Sequence, residues 1–187
     1  MSGVELWLAR HGETEWSRDA KHTSHTDLPL TTNGEEAART IGGRLAAVGF
    51  DLVLTSPLAR ARDTARIAGF PDAQHEPDLV EWDYGEYEGI TTAQIREGVP
   101  HWTVWSHPSP GGESAEQVGR RLDRVVARVQ ELSDRVLVFG HGHSLRALAA
   151  RWLDHPVAQG RHYSLDTATI SVLGYERETP VITRWNT

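Results

Sequence analysis

Three short apolar runs in this chain each end abruptly at a polar junction, and each junction is followed by a helix signal. They are "VELWLA" (Val4–Ala9) before Arg10-His11-Gly12, "FDLVLT" (Phe50–Thr55) before Ser56-Pro57, and "RVLVFG" (Arg135–Gly140) before His141-Gly142-His143. Apolar runs of this length between breaks read as buried strands. Strands that alternate with helices predict an α/β sandwich with a largely parallel sheet.

The helix signals are local. Thr32-Asn33-Gly34-Glu35 has capping-box spacing, and apolar residues recur at Ala38, Ile41, Leu45 and Val48, with Gly49 as the expected stop. Ser56-Pro57 predicts an N-cap serine and a proline in the first turn of a helix running to about Ala68. Ser114 and Gln117 form a second capping-box pair. Behind them Val118, Leu122, Val125, Val126, Val129 and Leu132 trace one face of a long helix. His143–Leu153 reads as a helix, and Ala168–Tyr175 and Pro180–Trp185 as two final strands. If paired, these strands could form the edge of a homodimer. The stretch 79–112 breaks the pattern with Trp82, Tyr84, Tyr87, Trp102 and Trp105 among scattered glycine and proline. It reads as an excursion on the substrate side, with one short helix near Thr91–Glu97, inside a single domain spanning 1–187.

Composition removes several function classes. A formal net charge of -7 argues against a nucleic-acid binder, which needs cations to neutralise phosphates. Zero cysteines exclude disulfides, thiolate catalysis and cysteine metal sites. No apolar run has the length of a membrane span, and no signal-peptide pattern opens the chain, so a soluble cytoplasmic protein is expected. His141 and His143 are two residues apart at a strand exit, without the i, i+4 spacing of a helical zinc pair. No metal and no cofactor are expected.

In open parallel sheets, ligand sites form beyond the carboxyl ends of the strands. If the three strands are neighbours, His11, Arg60 and His141 crowd one pocket, with Arg10 beside them. Two guanidiniums and two imidazoles together call for an anion. Arginine forks match phosphoryl oxygens, and the backbone N–H groups of Gly12 and Gly142 lie near helix starts.

These residues also carry a resemblance. "LARHGETEW" (Leu8–Trp16) resembles the signature of the histidine phosphatase superfamily, which includes the cofactor-dependent phosphoglycerate mutases. "LTSPLARARDTA" (Leu54–Ala65), "LVEWDYGEYEG" (Leu79–Gly89) and "VFGHGHSLRALAARWL" (Val138–Leu153) resemble its other motifs, in the family's order. The resemblance implies a phosphoglycerate mutase-like three-layer sandwich. It implies His11 as the nucleophile, with Arg10, Arg60 and His141 holding the transferring phosphoryl group. Glu81 would protonate the leaving oxygen and later activate water. Trp82 and Tyr84 are placed to desolvate that carboxyl, as general-acid work requires.

Ser17 departs from the pattern, since many members carry asparagine there as a phosphate ligand. A serine hydroxyl can still donate to phosphate, with shorter reach. "WSRDAKHTSHTDLPLT" (Trp16–Thr31) is similar to a subgroup of sugar-bisphosphate phosphatases and small acid phosphatases. There, residues at Thr23 and Ser24 contact phosphate or substrate. His22, with Lys21 and His25, is a candidate for a second phosphate, and Trp82 and Tyr84 for the substrate mouth. The expected activity is hydrolysis of a small phosphomonoester. A mutase is the alternative, disfavoured because the excursion holds Arg96 as its only lysine or arginine. A non-catalytic phospho-ligand binder is the third reading.

Overall fold

The computed structural model describes residues 3–132 and 135–187, without the side chain of Leu132. Its elements run β1 (Glu5–Arg10), α1 (Glu15–Arg18), α2 (Thr32–Leu45), β2 (Leu52–Thr55), α3 (Ala59–Ile67), β3 (Gln74–His75), α4 (Thr92–Gly98), α5 (Ala115–Leu132), β4 (Arg135–Gly140), α6 (Gly142–Trp152), β5 (Ile170–Glu176) and β6 (Thr179–Arg184). The sheet order is β3-β2-β4-β1-β5-β6. β4 pairs in parallel with both β1 and β2, and β5 is antiparallel to its neighbours β1 and β6. The expected mixed, mostly parallel sheet is therefore present.

Side-chain alternation along the strands builds the layers. Leu6 and Leu8 of β1, with Val136 and Val138 of β4, join a core made by Val118, Leu122, Val125 and Val129 of α5 and Leu145 and Leu148 of α6. The intervening Ala9, Leu137 and Phe139 join the opposite core, with Ile41 and Leu45 of α2 and Ala65 of α3. One helix pair thus covers each face, which gives the three-layer sandwich. The α5 stripe behaves as its spacing predicts, except that the side chain of Leu132 lies outside the described residues. Among the described residues no helix is long and apolar enough to cross a membrane.

Two helix starts differ from expectation. Thr31, not Thr32, caps α2: its Oγ1 accepts the Gly34 N–H at 3.1 Å and donates to Glu13 Oε1 at 2.7 Å. Glu35 instead pairs with Arg39. The helix ends at Leu45, four residues before Gly49. Ser56 does not cap α3: the helix starts at Ala59 with Leu58 at its N-cap, and the Ser56 hydroxyl accepts from His141 Nε2 at 2.7 Å. The free N–H of Ala59 is met by the Asp27 carboxylate, which arrives from a distant loop at 2.8 Å. By contrast, the Ser114–Gln117 pair caps α5 reciprocally, at 2.7 and 3.2 Å. α4 is capped by Thr91, with Gln94 completing its box.

Candidate functional site

β1, β4 and β2 are adjacent and parallel, so their carboxyl ends deliver Arg10-His11, His141 and Ser56 to one edge. His11 continues the ladder through its N–H to Gly140 O at 3.0 Å. Its ring is buried, with Nδ1 2.7 Å from Gly12 O. A carbonyl can only accept, so Nδ1 carries the proton and Nε2 keeps its lone pair. Burial, then the charges of Arg60 and Arg10, hold this imidazole well below the ordinary histidine range. The turn that follows is fixed twice. Gly12 N–H donates to Thr64 Oγ1 at 2.9 Å, and that hydroxyl donates to Arg60 O at 2.7 Å. A Cβ on Gly12 would lie 2.4 Å from Gly34 O, so this glycine permits a close approach to the first turn of α2.

Arg60 and His141 form a buried pair beneath His11. Arg60 Nε donates to His141 Nδ1 at 3.1 Å, so Nε2 of that ring holds the proton and donates to Ser56. The rings of His11 and His141 are 5.2 Å apart. Burial and then the Arg60 charge keep His141 neutral by pushing its pKa well below the ordinary range. Arg60 spends further donors on the carbonyls of Thr23, Ser24 and Thr26. Its fork is therefore engaged mainly with protein, and both ring nitrogens of His141 are occupied.

Above this layer opens a cleft of about 290 Å³, lined by Arg10, His11, Ser17, Lys21, Glu81 and Arg146 among others. Three of its lining side chains are lysine or arginine and one is a carboxylate, a balance that suits an anionic ligand. Arg10 reaches Leu165 O with Nη1 at 2.5 Å, while its buried Nε has no acceptor among the described residues. Glu81 is held by three backbone donors: Trp82 N–H at 2.8 Å, His143 N–H at 3.0 Å and Ser144 N–H at 2.8 Å. The last two belong to the first turn of α6, where helical N–H groups lack internal partners. Tyr84 OH meets His143 Nδ1 at 2.6 Å on the adjoining wall. Arg146, one turn beyond Gly142 on the same helix face, lies over the Trp105 ring at 4.8 Å.

A family model described as the histidine phosphatase superfamily (branch 1) matches residues 6–187. The chain belongs to the histidine phosphatase superfamily. It is 44% identical over 175 residues to an acid phosphatase of Mycobacterium tuberculosis, covering 91% of this chain and 86% of that one. It is 36% identical over 178 residues to sedoheptulose 1,7-bisphosphatase of Saccharomyces cerevisiae, covering 78% of this chain and 66% of that one. A solved structure from Mycobacterium tuberculosis, of the open reading frame Rv3214 product, superposes with a TM-score of 0.94 at 41% identity. The match covers 98% of this chain and 97% of that one.

Within this histidine phosphatase, the residues expected at the site divide into three groups. Arg10, His11, Ser17, His22, Thr23, Glu81, Tyr84 and Gly142 line the cleft. Arg60 and His141 lie directly behind it, fully buried. Ser24 and Trp82 do not line it, and the expectation for both is corrected. Ser24 Oγ donates to Glu88 Oε2 at 2.6 Å, because that carboxylate gathers the 24–26 loop. Trp82 is buried in the core against Trp105, with its indole N–H on Glu113 O, so it does not serve as a mouth residue. Gly12 is corrected as a donor, since Thr64 takes its N–H. Ser17 faces the cleft, but its hydroxyl also closes the capping box of α1 with Thr14, at 2.9 and 3.0 Å. His22 is packed against Tyr84 and Trp102, and burial brings its pKa down to about 4. His25 is exposed and pairs with Asp83. Thr14, Thr92, His143, Arg146 and Leu165 line the cleft without having been singled out as ligands. Arg146 had one readable signal: its i, i+4 spacing from Gly142.

Proposed function

We propose that this histidine phosphatase hydrolyses small phosphomonoesters, sugar phosphates among them, through a phosphohistidine at His11. The observation that carries the reading is the fixed tautomer of His11: Nε2 is unprotonated, on a buried ring that lines a cationic cleft. Such a nitrogen attacks phosphorus in line while Arg10, with the Arg60 charge behind it, stabilises charge on the equatorial oxygens. His141, with both ring nitrogens engaged, orients Arg60 rather than holding the phosphoryl group itself. The Gly142 N–H supplies a further donor to the phosphoryl group, and Ser17 joins it only by turning its hydroxyl proton away from Thr14 O. His22, Thr23 and Tyr84 bound the space for the rest of the substrate. Glu81 protonates the departing oxygen. It then takes a proton from the water that attacks the phosphohistidine, returning both His11 and the carboxyl to their starting states. No step calls on a metal. The cytoplasm, where small phosphorylated metabolites are made and consumed, is the compartment we propose.

Hydrolase and mutase share the phosphoryl-transfer step and a binder lacks it, and two measurements separate the three. Incubation with a panel of phosphorylated metabolites, scored by kcat/KM, should give steady phosphate release without bisphosphoglycerate priming. Efficient interconversion of phosphoglycerates would make the chain a mutase instead. Arg96, the excursion's one candidate for holding a second anionic group, donates to Trp102 O and does not line the cleft, which favours the hydrolase. Acid-labile, alkali-stable label on wild type, lost in His11→Ala, marks turnover. Absence of label and turnover, with phosphate binding retained, would leave a binding protein.

A further inference from the structure

We infer that Arg121, which does not line the cleft, is a positioning residue that fixes Glu81 for protonation of the leaving group. The inference rests on the general-acid reading of Glu81 given above.

The segment from Val80 to Asp83 belongs to no strand or helix, so its backbone polar groups need partners from elsewhere. Arg121, 6% exposed on α5, supplies them. Its Nη1 donates to Asp78 O at 2.8 Å and to Val80 O at 2.9 Å, and its Nη2 donates to Glu81 O at 3.2 Å. Nε and Nη2 also grip the two oxygens of Glu113, at 2.8 and 3.0 Å. All five N–H donors of the guanidinium are thereby used. Glu113 closes the clamp from the other side. Its Oε2 accepts the Asp83 N–H at 3.0 Å, its carbonyl accepts the Trp82 indole at 2.9 Å, and its own N–H donates to Asp83 O at 3.0 Å.

One ion pair therefore holds five of the six residues from Asp78 to Asp83, with Glu81 among them. The division of labour is specific. α5, through Arg121, sets the backbone of Glu81, while α6, through the His143 and Ser144 N–H groups, sets its carboxylate. A shift of the backbone would draw the carboxylate away from α6 and from the leaving oxygen. A lysine at 121 would keep the charge but lose the planar fork that serves carbonyls and carboxylate together.

A merely structural residue would slow all substrates alike, whereas one that positions the acid should matter most where the leaving group needs a proton. The test compares kcat/KM, which reports steps up to leaving-group departure, for p-nitrophenyl phosphate and for an alkyl ester such as glycerol phosphate. Arg121→Lys and Glu113→Gln are measured beside Glu81→Gln. Arg121→Lys should lose on the order of 10- to 100-fold on the alkyl ester and less than about 3-fold on the nitrophenyl ester. Glu113→Gln should follow the same pattern to a smaller extent, and it carries the test if Arg121→Lys fails to fold. Equal losses on both esters, or none, in the clamp variants while Glu81→Gln discriminates would overturn the inference. Equal losses in Glu81→Gln itself would overturn the general-acid reading.

Discussion

Arg60 and His141 orient one another: the guanidinium Nε donates to the imidazole Nδ1 at 3.1 Å, in a layer closed to solvent. The remaining Arg60 contacts are carbonyls of the 23–26 loop, so one side chain ties α3, the exit of β4 and that loop together. Arg60→Lys keeps the charge but cannot span these acceptors. We expect kcat/KM to fall by on the order of 10²-fold and stability by about 1–3 kcal/mol from the carbonyls left unpaired. Steady-state kinetics and urea unfolding check both, and a near-wild-type enzyme would show that the buried fork is dispensable.

Thr64 bridges the turn after His11, the proposed nucleophile, to α3, accepting from Gly12 N–H and donating to Arg60 O. Thr64→Val keeps shape and removes both bonds. The buried Gly12 N–H then has no acceptor, which costs about 1–3 kcal/mol. Because the turn also sets His11, kcat should drop more than KM rises. An unchanged urea midpoint would mean that another group takes over the Gly12 donor.

Gly34 sits where α2 meets the same turn. A Cβ there would lie 2.2 Å from Glu13 O, a backbone atom that cannot rotate away. Gly34→Ala should push the His11–Glu13 turn off its register, with a loss of stability above about 1 kcal/mol and a clear loss of kcat. Retention of both would show that α2 can slide without disturbing the nucleophile.

Acid should weaken the fold through its buried histidines. Burial, the largest cause in each case, depresses His11, His141 and His143 well below the ordinary value of 6.5, and takes His22 to about 4. The unfolded chain protonates these rings near 6.5, while the folded chain does not. Stability is therefore full above that value and falls as pH drops below it, by about 1.4 kcal/mol per pH unit for each such ring. For His22 the fall ends near 4. The urea midpoint at pH 7.5, 6.0 and 5.0 reads this out. A midpoint that stays constant across the series would mean that these rings are not held neutral. His11 should also remain a competent nucleophile at pH 5, where a free imidazole is mostly protonated.

The strands that carry the site could be read because their signals are local. "ELWLAR" and "RVLVFG" are apolar runs closed by a break, and that break is what places His11 and His141 at the sheet edge. Ser56 misled because serine before proline suits a cap equally well, while its true partner, His141, lies 85 positions away. Trp82 and Ser24 lie outside the cleft for a related reason: adjacency to Glu81 or to the loop says nothing about which way a side chain turns. Arg121 and Glu113 left no local mark, since they satisfy carbonyls and an N–H group that lie far upstream in the chain. Thr31 displaced Thr32 as a cap because Glu13, on another turn, rewards its hydroxyl.

The sheet order bears on how the enzyme comes into being. β1 and β2 do not touch; β4 lies between them, and Arg10 is matched in register with Gly140. A nascent chain halted before residue 135 already holds His11, Arg60, Glu81 and Arg121. It lacks the strand that would set the first two side by side. Non-local pairing of this kind folds slowly and late. The edge proposed as catalytic is therefore completed only once most of the chain has been synthesised, and no N-terminal fragment short of β4 should turn over substrate.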